Sequence, residues 1–230
     1  MIRFDNVFKN FDGKQVLAGV SFHVEAGEIL AIVGASGTGK SVTLKHIVGL
    51  LAPDSGTVTV RDGARIGYLF QGGALLAWLT VRENVALPLR ETTKFSDDEI
   101  SSMTDEALNA VGLGDSADRY PAEISGGMVK RAGLARAIVR HADVVLYDEP
   151  TSGLDPVTAQ TIHRLIKRLN AERRITSLVV THDLAGACSF ADRVLMLKDG
   201  RVALAAAPDD FLKSDIPAVR EFVSASKGEL

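Results

Sequence analysis

This chain of 230 residues has one cysteine, no long apolar run and no excess of positive charge. Its one cysteine, Cys188, excludes an internal disulfide and a metal site built from several cysteines, which fits a reducing compartment. No apolar run approaches the roughly 18 residues of a membrane-spanning helix, and residues 1–10 lack a signal-peptide pattern. The net charge of −3 gives no reason to expect nucleic-acid binding. We therefore expect a cytoplasmic protein that does not bind nucleic acid.

A phosphate-loop motif, GxxxxGK[ST], follows a short apolar run at residues 29–33. The motif consists of Gly34, Ala35, Ser36, Gly37, Thr38, Gly39, Lys40 and Ser41. Its glycines let consecutive N–H groups turn toward phosphate oxygens, and the helix that follows adds the positive end of its dipole. We predict that the motif binds a nucleoside triphosphate, with Lys40 at the β and γ phosphates and Ser41 as a ligand of Mg²⁺.

Short apolar stretches predict strands around this loop. Before residue 81 they are 2–4, 16–24, 57–60 and 65–70. The first two flank an Asp12-Gly13 turn, which favours antiparallel pairing. Between the second and the third, residues 40–51 predict a helix that ends before Pro53.

Helical periodicity dominates residues 81–142, where Ser96 and Glu99 match a capping box and Gly112 is a helix stop. From residue 143 onward, strand and helix patterns alternate again, as in a parallel α/β sheet. The predicted fold class is therefore α/β. It consists of a phosphate-loop NTPase core with a mostly parallel sheet, an antiparallel β subdomain and an inserted helical subdomain.

Acidic residues and a histidine follow two of the later apolar strands. Asp148 and Glu149 come directly after residues 144–147, at the carboxyl end of a strand, where open α/β sheets bind ligands. Asp148 is a candidate Mg²⁺ ligand, and Glu149 is a candidate base for the water that attacks the γ phosphate. His182 ends the next strand, so we expect it at the same sheet edge, near the γ phosphate. The alternatives are a solvent-facing acidic pair and a solvated turn histidine.

Gln71 follows another predicted strand and opens an apolar loop at residues 74–79, which contains Trp78. Its amide is a candidate contact for Mg²⁺ or the water bound to it. The apolar loop has two interpretations. It is either an exposed binding surface or part of the core of the helical subdomain.

A second anion-binding sequence, Ser125-Gly126-Gly127, stands immediately before a predicted helix. One nucleotide does not ordinarily need two phosphate cradles, so a site shared between two copies of the chain is the natural explanation. The arginines of the helix that follows are interpreted as a solvated face rather than a nucleic-acid surface.

These motifs occur in the order found in ABC transporter ATP-binding subunits, and the chain resembles that family over essentially its whole length. The motifs are the phosphate loop, Gln71, Ser125-Gly126-Gly127, Asp148-Glu149, residues 152–155 and His182. The resemblance implies an active ATPase that uses ATP and Mg²⁺. It implies a head-to-tail homodimer with two ATP molecules, each held between the phosphate loop of one subunit and the Ser125-Gly126-Gly127 signature of the other.

The same resemblance assigns roles to individual residues. It counts Lys40, Gln71, Glu149 and His182 as catalytic, and Ser41, Gln71 and Asp148 as metal ligands. It adds Val42 to the nucleotide-binding residues, places Asp155 at the dimer interface and matches Phe11 to an aromatic that stacks on adenine.

The resemblance also implies a division of the chain. Residues 1–230 would form a single ABC ATPase domain with a RecA-like core. Within it, residues 1–80 and 143–210 hold the β subdomain and the core, 81–142 form the helical subdomain, and 211–230 form a helical tail. The tail is either a packed terminal helix or a contact for a partner subunit.

Met128 departs from the usual family signature, LSGGQ, because a thioether cannot donate a hydrogen bond. With residues 70–75 and 83–90, the stretch 125–131 resembles the ATPase of Mla- or Mce-type phospholipid transporters of bacterial envelopes. That resemblance implies a membrane permease that docks on residues 71–79 and an MCE-domain lipid-binding protein, and it leaves open a small STAS-domain subunit. The ATPase would then be peripheral, on the inner face of the cell membrane.

Two other functions compete with this hypothesis. The first is the ATPase of an ABC importer for a small solute such as an amino acid. The second is an ABC ATPase that acts on DNA or ribosomes, or a regulator outside transport. Such proteins usually carry a coiled-coil insertion, a second cassette or strongly basic surfaces, and the sequence shows none of them.

Overall fold

The computed structural model describes residues 1–227, and the chain divides into two compact units. The first unit consists of Met1–Ala64 and the chain from Thr176 onward, and the second consists of Arg65–Ile175. The strands are β1 (Ile2–Phe11), β2 (Lys14–Val24), β3 (Ile29–Val33), β4 (Ser55–Val60), β5 (Ile66–Leu69), β6 (Val144–Asp148), β7 (Thr176–Val180), β8 (Arg193–Lys198) and β9 (Arg201–Ala206). The α-helices are α1 (Lys40–Ile47), α2 (Val81–Thr92), α3 (Asp97–Ala110), α4 (Gly126–Ile138), α5 (Pro156–Arg173), α6 (Leu184–Phe190), α7 (Pro208–Leu212) and α8 (Pro217–Lys227).

In the first unit, β2, β1 and β4 form an antiparallel sheet in that order. Asp12 and Gly13 connect β1 to β2 with φ angles of 47° and 80°. Positive φ at both central residues is the geometry of a type I′ hairpin turn, whose twist matches that of the paired strands. The predicted antiparallel pairing is confirmed. Strand β1 continues past residue 4, where shifts in its register against β2 interrupt the apolar alternation on which the prediction depended.

The same unit contains the parallel strands β7, β3 and β8, with β9 antiparallel to β8. Every residue of β3 and β7 is buried, as expected for strands covered on both faces. The register pairs Leu30 with Leu178 on one side and with Arg193 on the other. Because parallel strands end at one edge, the loops after β3 and β7 leave this sheet from the same edge.

Helix α1 ends at Ile47, four residues before the predicted end at residue 51. Gly49 adopts φ 72°, and its N–H donates to the His46 carbonyl at 3.2 Å. The Leu50 N–H reaches back to the Lys45 carbonyl at 2.9 Å. These two bonds form a Schellman motif, in which a left-handed glycine ends the helix. Pro53 therefore lies beyond the true stop.

The second unit contains the parallel pair β5 and β6 and helices α2 to α5. The predicted capping box at the start of α3 is confirmed, with Ser96 and Glu99 bonded reciprocally. Thr80 and Glu83 form a second capping box at the start of α2. The predicted bounds of the helical subdomain, 81–142, stay a prediction, because this unit also takes in two strands and α5.

The expectation of a solvated arginine face on α4 is wrong for Arg131 and Arg136. Arg131 donates through Nη1 to the carbonyls of Val111 and Gly112, at 3.1 and 3.0 Å. Arg136 donates to the carbonyls of Gly73 and Ala74, at 2.8 and 2.7 Å. Helix ends leave carbonyls without intrahelical partners, and α3 has no basic residue in its own last turn, so a guanidinium from α4 fills that role.

The carboxyl-terminal segment packs within the first unit. Phe211 of α7 and Val219 and Val223 of α8 are buried. Within the described part of the predicted tail, the end of α7 and the helix α8 therefore pack on this unit, and a contact with a partner subunit stays a prediction. Residues 228–230 lie outside the described residues. No helix within residues 1–227 combines the length and the apolar character needed to cross a membrane.

Candidate functional site

The candidate residues form two groups, one on each unit. The phosphate loop, Phe11 and His182 belong to the first unit. The second unit carries Gln71, Ser125, Gly126, Gly127, Asp148, Glu149 and Asp155. The structure describes the local geometry of each group, and the roles assigned from the sequence remain predictions.

Two glycines fix the course of the phosphate loop after β3. Gly34 has φ 150°, and a Cβ there would lie 2.4 Å from the Leu197 carbonyl oxygen. Gly39 has φ 97°, and a Cβ there would lie 2.8 Å from Leu17 Cδ2. Since real Cβ atoms do not approach this closely, any side chain at either position would displace the loop. The loop is a backbone cradle that glycine alone permits.

Lys40 holds its ammonium group against this cradle. Its Nζ donates to the carbonyls of Gly34 and Ala35, at 2.9 and 3.0 Å, and the residue is 8% exposed. Lys40 is also the first residue of α1, whose first turn contains no acidic side chain. Positive charge, helix N–H groups and the helix dipole therefore coincide here, which suits an anion such as a phosphate. Ser41 and Val42 follow in the same turn, and both are half-buried.

His182 is exposed in the short loop after β7. The neighbouring Asp183 caps α6 by accepting the Gly186 N–H at 2.8 Å. The Asp183 N–H donates to Thr181 Oγ1 at 3.0 Å, which fixes the other side of the histidine. Because β7 is parallel to β3, His182 and the phosphate loop follow strands that end at one edge of the sheet.

Phe11 lies at the end of β1 and is 39% exposed. The Lys9 ammonium lies 5.5 Å from the centre of its ring, within the range of a cation–π contact. An aromatic face at the surface rather than in the core is what stacking on a purine requires.

Asp148 is the last residue of β6 and is half-buried. Tyr68 on the neighbouring strand β5 donates its hydroxyl to Asp148 Oδ2 at 3.1 Å. Burial, reinforced by the Asp148 carboxylate, raises the pKa of the Tyr68 phenol. Tyr68 therefore stays protonated and orients the carboxylate, a contact that the sequence did not reveal.

Glu149 follows in an uncommon backbone conformation, with φ 50°. Left-handed φ is strained for a residue with a side chain, and such strain concentrates at functional sites. The Glu149 carbonyl accepts the Ser152 N–H at 3.2 Å and the Lys130 ammonium at 3.2 Å. Two donors from different segments thus hold this turn.

Gln71 is exposed after β5, and its side-chain amide lies 3.4 Å from Ser152 Oγ. Its own carbonyl accepts a hydrogen bond from the Lys130 ammonium. The loops that carry Gln71 and Glu149 therefore share one donor and lie side by side in this unit.

Ser125 caps α4, with its Oγ accepting the Met128 N–H at 3.3 Å. Gly127 is buried, and a Cβ there would lie 2.5 Å from Thr158 Cγ2 on α5. Asp155 caps α5 through the N–H groups of residues 157 and 158, both at 3.0 Å, and accepts the Thr158 hydroxyl at 2.5 Å. This hydrogen bond from Thr158 is the main reason that the pKa of Asp155 is lowered. The signature and Asp155 thus meet at Thr158.

The apolar loop at 74–79 presents Trp78 to solvent, at 72% exposed. Asn84 on α2 is buried beneath it. The Asn84 side chain accepts the Leu76 N–H at 2.7 Å and donates to the carbonyls of residues 76, 79 and 80 at 2.9–3.0 Å. Of the two interpretations of this loop, the exposed surface holds for Trp78, whereas Leu75 and Leu76 are half-buried.

A family model described as ABC transporter matches residues 17–152, which include the phosphate loop, the signature and the Asp148-Glu149 pair. The chain belongs to the ABC transporter family. TRIGALACTOSYLDIACYLGLYCEROL 3, a chloroplastic protein of Arabidopsis thaliana, is 39% identical over 98% of this ABC chain and 74% of its own. The probable ribonucleotide transport ATP-binding protein mkl of Mycobacterium leprae is 39% identical over 98% of this chain and 69% of its own. The methionine import ATP-binding protein MetN of Caulobacter vibrioides is 38% identical over 100% of this chain and 74% of its own.

The solved dimeric structure of the ATP-binding cassette MJ0796, in a post-hydrolysis state with ADP and Pi, has the same fold as this ABC chain. Its TM-score is 0.81 at 33% identity, over 90% of this chain and 99% of that one. The predicted α/β ABC ATPase fold, with its antiparallel and parallel sheets and helical subdomain, is thereby confirmed. The chain is an ABC-type ATPase that binds and hydrolyses ATP.

The donors in this ABC chain suit Mg²⁺. Within residues 1–227, no three His, Cys, Asp or Glu side chains come close enough to hold a metal ion by themselves. Mg²⁺ commonly uses one or two protein ligands together with substrate phosphates and water. The Ser41 hydroxyl on the first unit, and the Gln71 amide oxygen and the Asp148 carboxylate on the second, are each the kind of hard oxygen donor that Mg²⁺ prefers, and their role as its ligands stays a prediction.

Proposed function

We propose that this ABC ATPase powers phospholipid transport across the bacterial envelope through a separate membrane permease. The observation that carries the proposal is the Ser-Gly-Gly-Met signature at 125–128, which resembles that of Mla- and Mce-type ATPases. The Arabidopsis relative, whose name contains a glycolipid, supports the lipid class.

The residues of the chain then divide the work of hydrolysis. The cradle at 34–39 and Lys40 would hold the phosphates, while Ser41, Gln71 and Asp148 would supply oxygen atoms to Mg²⁺, whose charge would neutralise part of the charge on the phosphates. Glu149 takes a proton from the attacking water as the bond from the γ phosphorus to the leaving oxygen breaks. His182 orients that water.

A homodimer completes the site in this proposal. Ser125, Gly126 and Gly127 of a second copy would face the γ phosphate, with Asp155 near the interface. The support is the helix start at Ser125, which offers N–H groups to an anion, and the dimeric state of the MJ0796 cassette.

The permease would dock on residues 71–79, and an MCE-domain protein would complete the transporter, with or without a small STAS-domain subunit. Trp78 supports this docking because a large exposed aromatic on a loop is typical of a binding surface. The ATPase would then be held on the inner face of the cell membrane by its permease.

The experiment that tests this proposal is purification of the tagged full chain from its native membranes in mild detergent. Mass spectrometry would identify the bound proteins and the bound lipids. A permease with an MCE-domain protein and enriched phospholipid is the expected result. A permease with a solute-binding protein, or a complex without a membrane partner, would contradict it.

Changing Trp78 to serine is expected to remove the permease from that purification while leaving basal ATP hydrolysis within about twofold of wild type. The side chain is exposed, so its loss costs the fold little. Leu50→Ser is the matched control, because Leu50 is 65% exposed on the other unit. Equal recovery of the permease by Trp78→Ser and wild type would rule out docking at this loop.

An importer of a small solute is the second candidate. The MetN relative, named for methionine import, supports it at nearly the same identity as the Arabidopsis relative. A solute-binding protein recovered with the permease would favour this candidate.

A further inference from the structure

Lys130 occupies a buried position in the second turn of α4, where it is 6% exposed. Its ammonium donates to the Gln71 carbonyl and, at 3.2 Å, to the Glu149 carbonyl. Both acceptors are main-chain groups of loops that follow strands β5 and β6. A single side chain therefore ties two loops together.

Burying an ammonium group costs free energy, because the charge loses its contact with water. Burial lowers the pKa of Lys130, and the nearby Glu149 and Asp148 carboxylates partly oppose this shift. A buried charge needs hydrogen-bond partners, and Lys130 finds them in the main-chain carbonyls of these two loops. The burial of Lys130 is thus better explained by its hydrogen bonds to the two loops than by the packing of its side chain.

What it holds is the strained residue of the site. Glu149 has φ 50°, and its carbonyl is fixed by Lys130 together with the Ser152 N–H. Without the ammonium, one of these two restraints is lost, and a residue with a side chain relaxes toward negative φ. That rotation would move the carboxylate, because the side chain turns with its backbone.

We propose that Lys130 is a positioning residue that sets the backbone of Glu149 and links it to the Gln71 loop, so that the carboxylate is aligned for hydrolysis only while this link is made. The inference rests on the proposed role of Glu149 as base. It assigns Lys130 no contact with the nucleotide.

Lys130→Met, which keeps the length of the side chain and removes the donor, is the variant that tests this. We expect kcat for ATP to fall roughly tenfold to hundredfold, with KM changed by less than about threefold. Lys130→Arg keeps a charged donor and is expected to recover a large part of kcat. Thermal unfolding should show that the Met variant still folds cooperatively, with a Tm lowered by only about a few degrees, because two carbonyls lose a donor. A kcat within about twofold of wild type would overturn the proposal.

Hydrogen exchange measured by mass spectrometry gives a readout that does not depend on activity. In Lys130→Met we expect faster exchange in peptides covering 70–79 and 148–154, and unchanged exchange in α3. Uniformly faster exchange, or unfolding of both the Met variant and Lys130→Gln, would show a general structural role and overturn the proposal. Unchanged exchange in both loops would do the same.

The double variant with Glu149→Gln separates this inference from the proposed function. If Lys130 acts through Glu149, adding Lys130→Met to Glu149→Gln should cause no further loss of turnover, since the two effects are not additive. A further tenfold loss, on the order of the single effect, would place Lys130 in another role. Wild-type turnover in Glu149→Gln alone would instead refute the role of Glu149.

Discussion

Changing Glu149 to glutamine should lower steady-state ATP hydrolysis by roughly 10²- to 10⁴-fold, the usual contribution of a positioned general base. Glutamine keeps the size and polarity of the side chain but cannot accept the proton of the attacking water. Affinity for Mg-ATP should change little, because the loss is confined to the transition state. Phosphate release gives kcat, and isothermal titration calorimetry gives the nucleotide Kd.

The matched control for this experiment is Glu91→Gln, which removes an exposed carboxylate on α2 of the same unit. It should hydrolyse ATP like the unaltered chain. If Glu149→Gln turned over ATP as fast as this control, Glu149 would have no part in proton transfer, and the base would have to be sought elsewhere.

Replacing Lys40 with methionine should abolish measurable binding of Mg-ATP at ordinary nucleotide concentrations. Hydrogen bonds to charged groups are worth about 1.5–3 kcal/mol each, so the loss of two phosphate contacts weakens Kd by roughly 10²-fold or more. The Met side chain also forfeits the contacts that Nζ makes with the carbonyls of Gly34 and Ala35. Titration calorimetry, or equilibrium binding of a fluorescent ATP analogue, measures the change.

Lys45 provides the comparison, since it lies on the exposed side of the same short helix. Lys45→Met removes one positive charge at a similar place in the chain and should leave the nucleotide Kd within about twofold. Equal weakening in both variants would mean that general electrostatic attraction, rather than a contact of Lys40, holds the nucleotide.

The parts of the site that could be predicted from the sequence are those whose chemistry is local. The cradle of residues 34–39 is specified by glycines within the loop itself, and the place of Asp148 follows from the strand directly before it. The capping box of α3 likewise depends on two residues three positions apart. In each case the interacting groups are near one another along the chain.

The parts that could not be predicted depend on contacts between distant segments. Lys130 meets Gln71 across 59 positions, and Tyr68 meets Asp148 across 80. Nothing in the periodicity of α4 distinguishes an arginine that binds a loop carbonyl from one in solvent, which is why the prediction for Arg131 and Arg136 is wrong. The end of α1 is a different case, because the residue that ends the helix, Gly49, is close by in the sequence. Pro53 is the stronger helix-breaking signal, and it led the prediction to place the end too late.

The hydrogen bonds of Asn84 allow the side chains of the exposed loop to change while its backbone stays in place. All of its bonds to residues 76–80 run to main-chain atoms, so they survive whatever side chains those residues carry. Substitutions at the tip can therefore accumulate without loss of the loop's shape. If the permease docks on residues 71–79 as proposed, these positions could change with the partner while the residues assigned to ATP binding and hydrolysis stay unchanged.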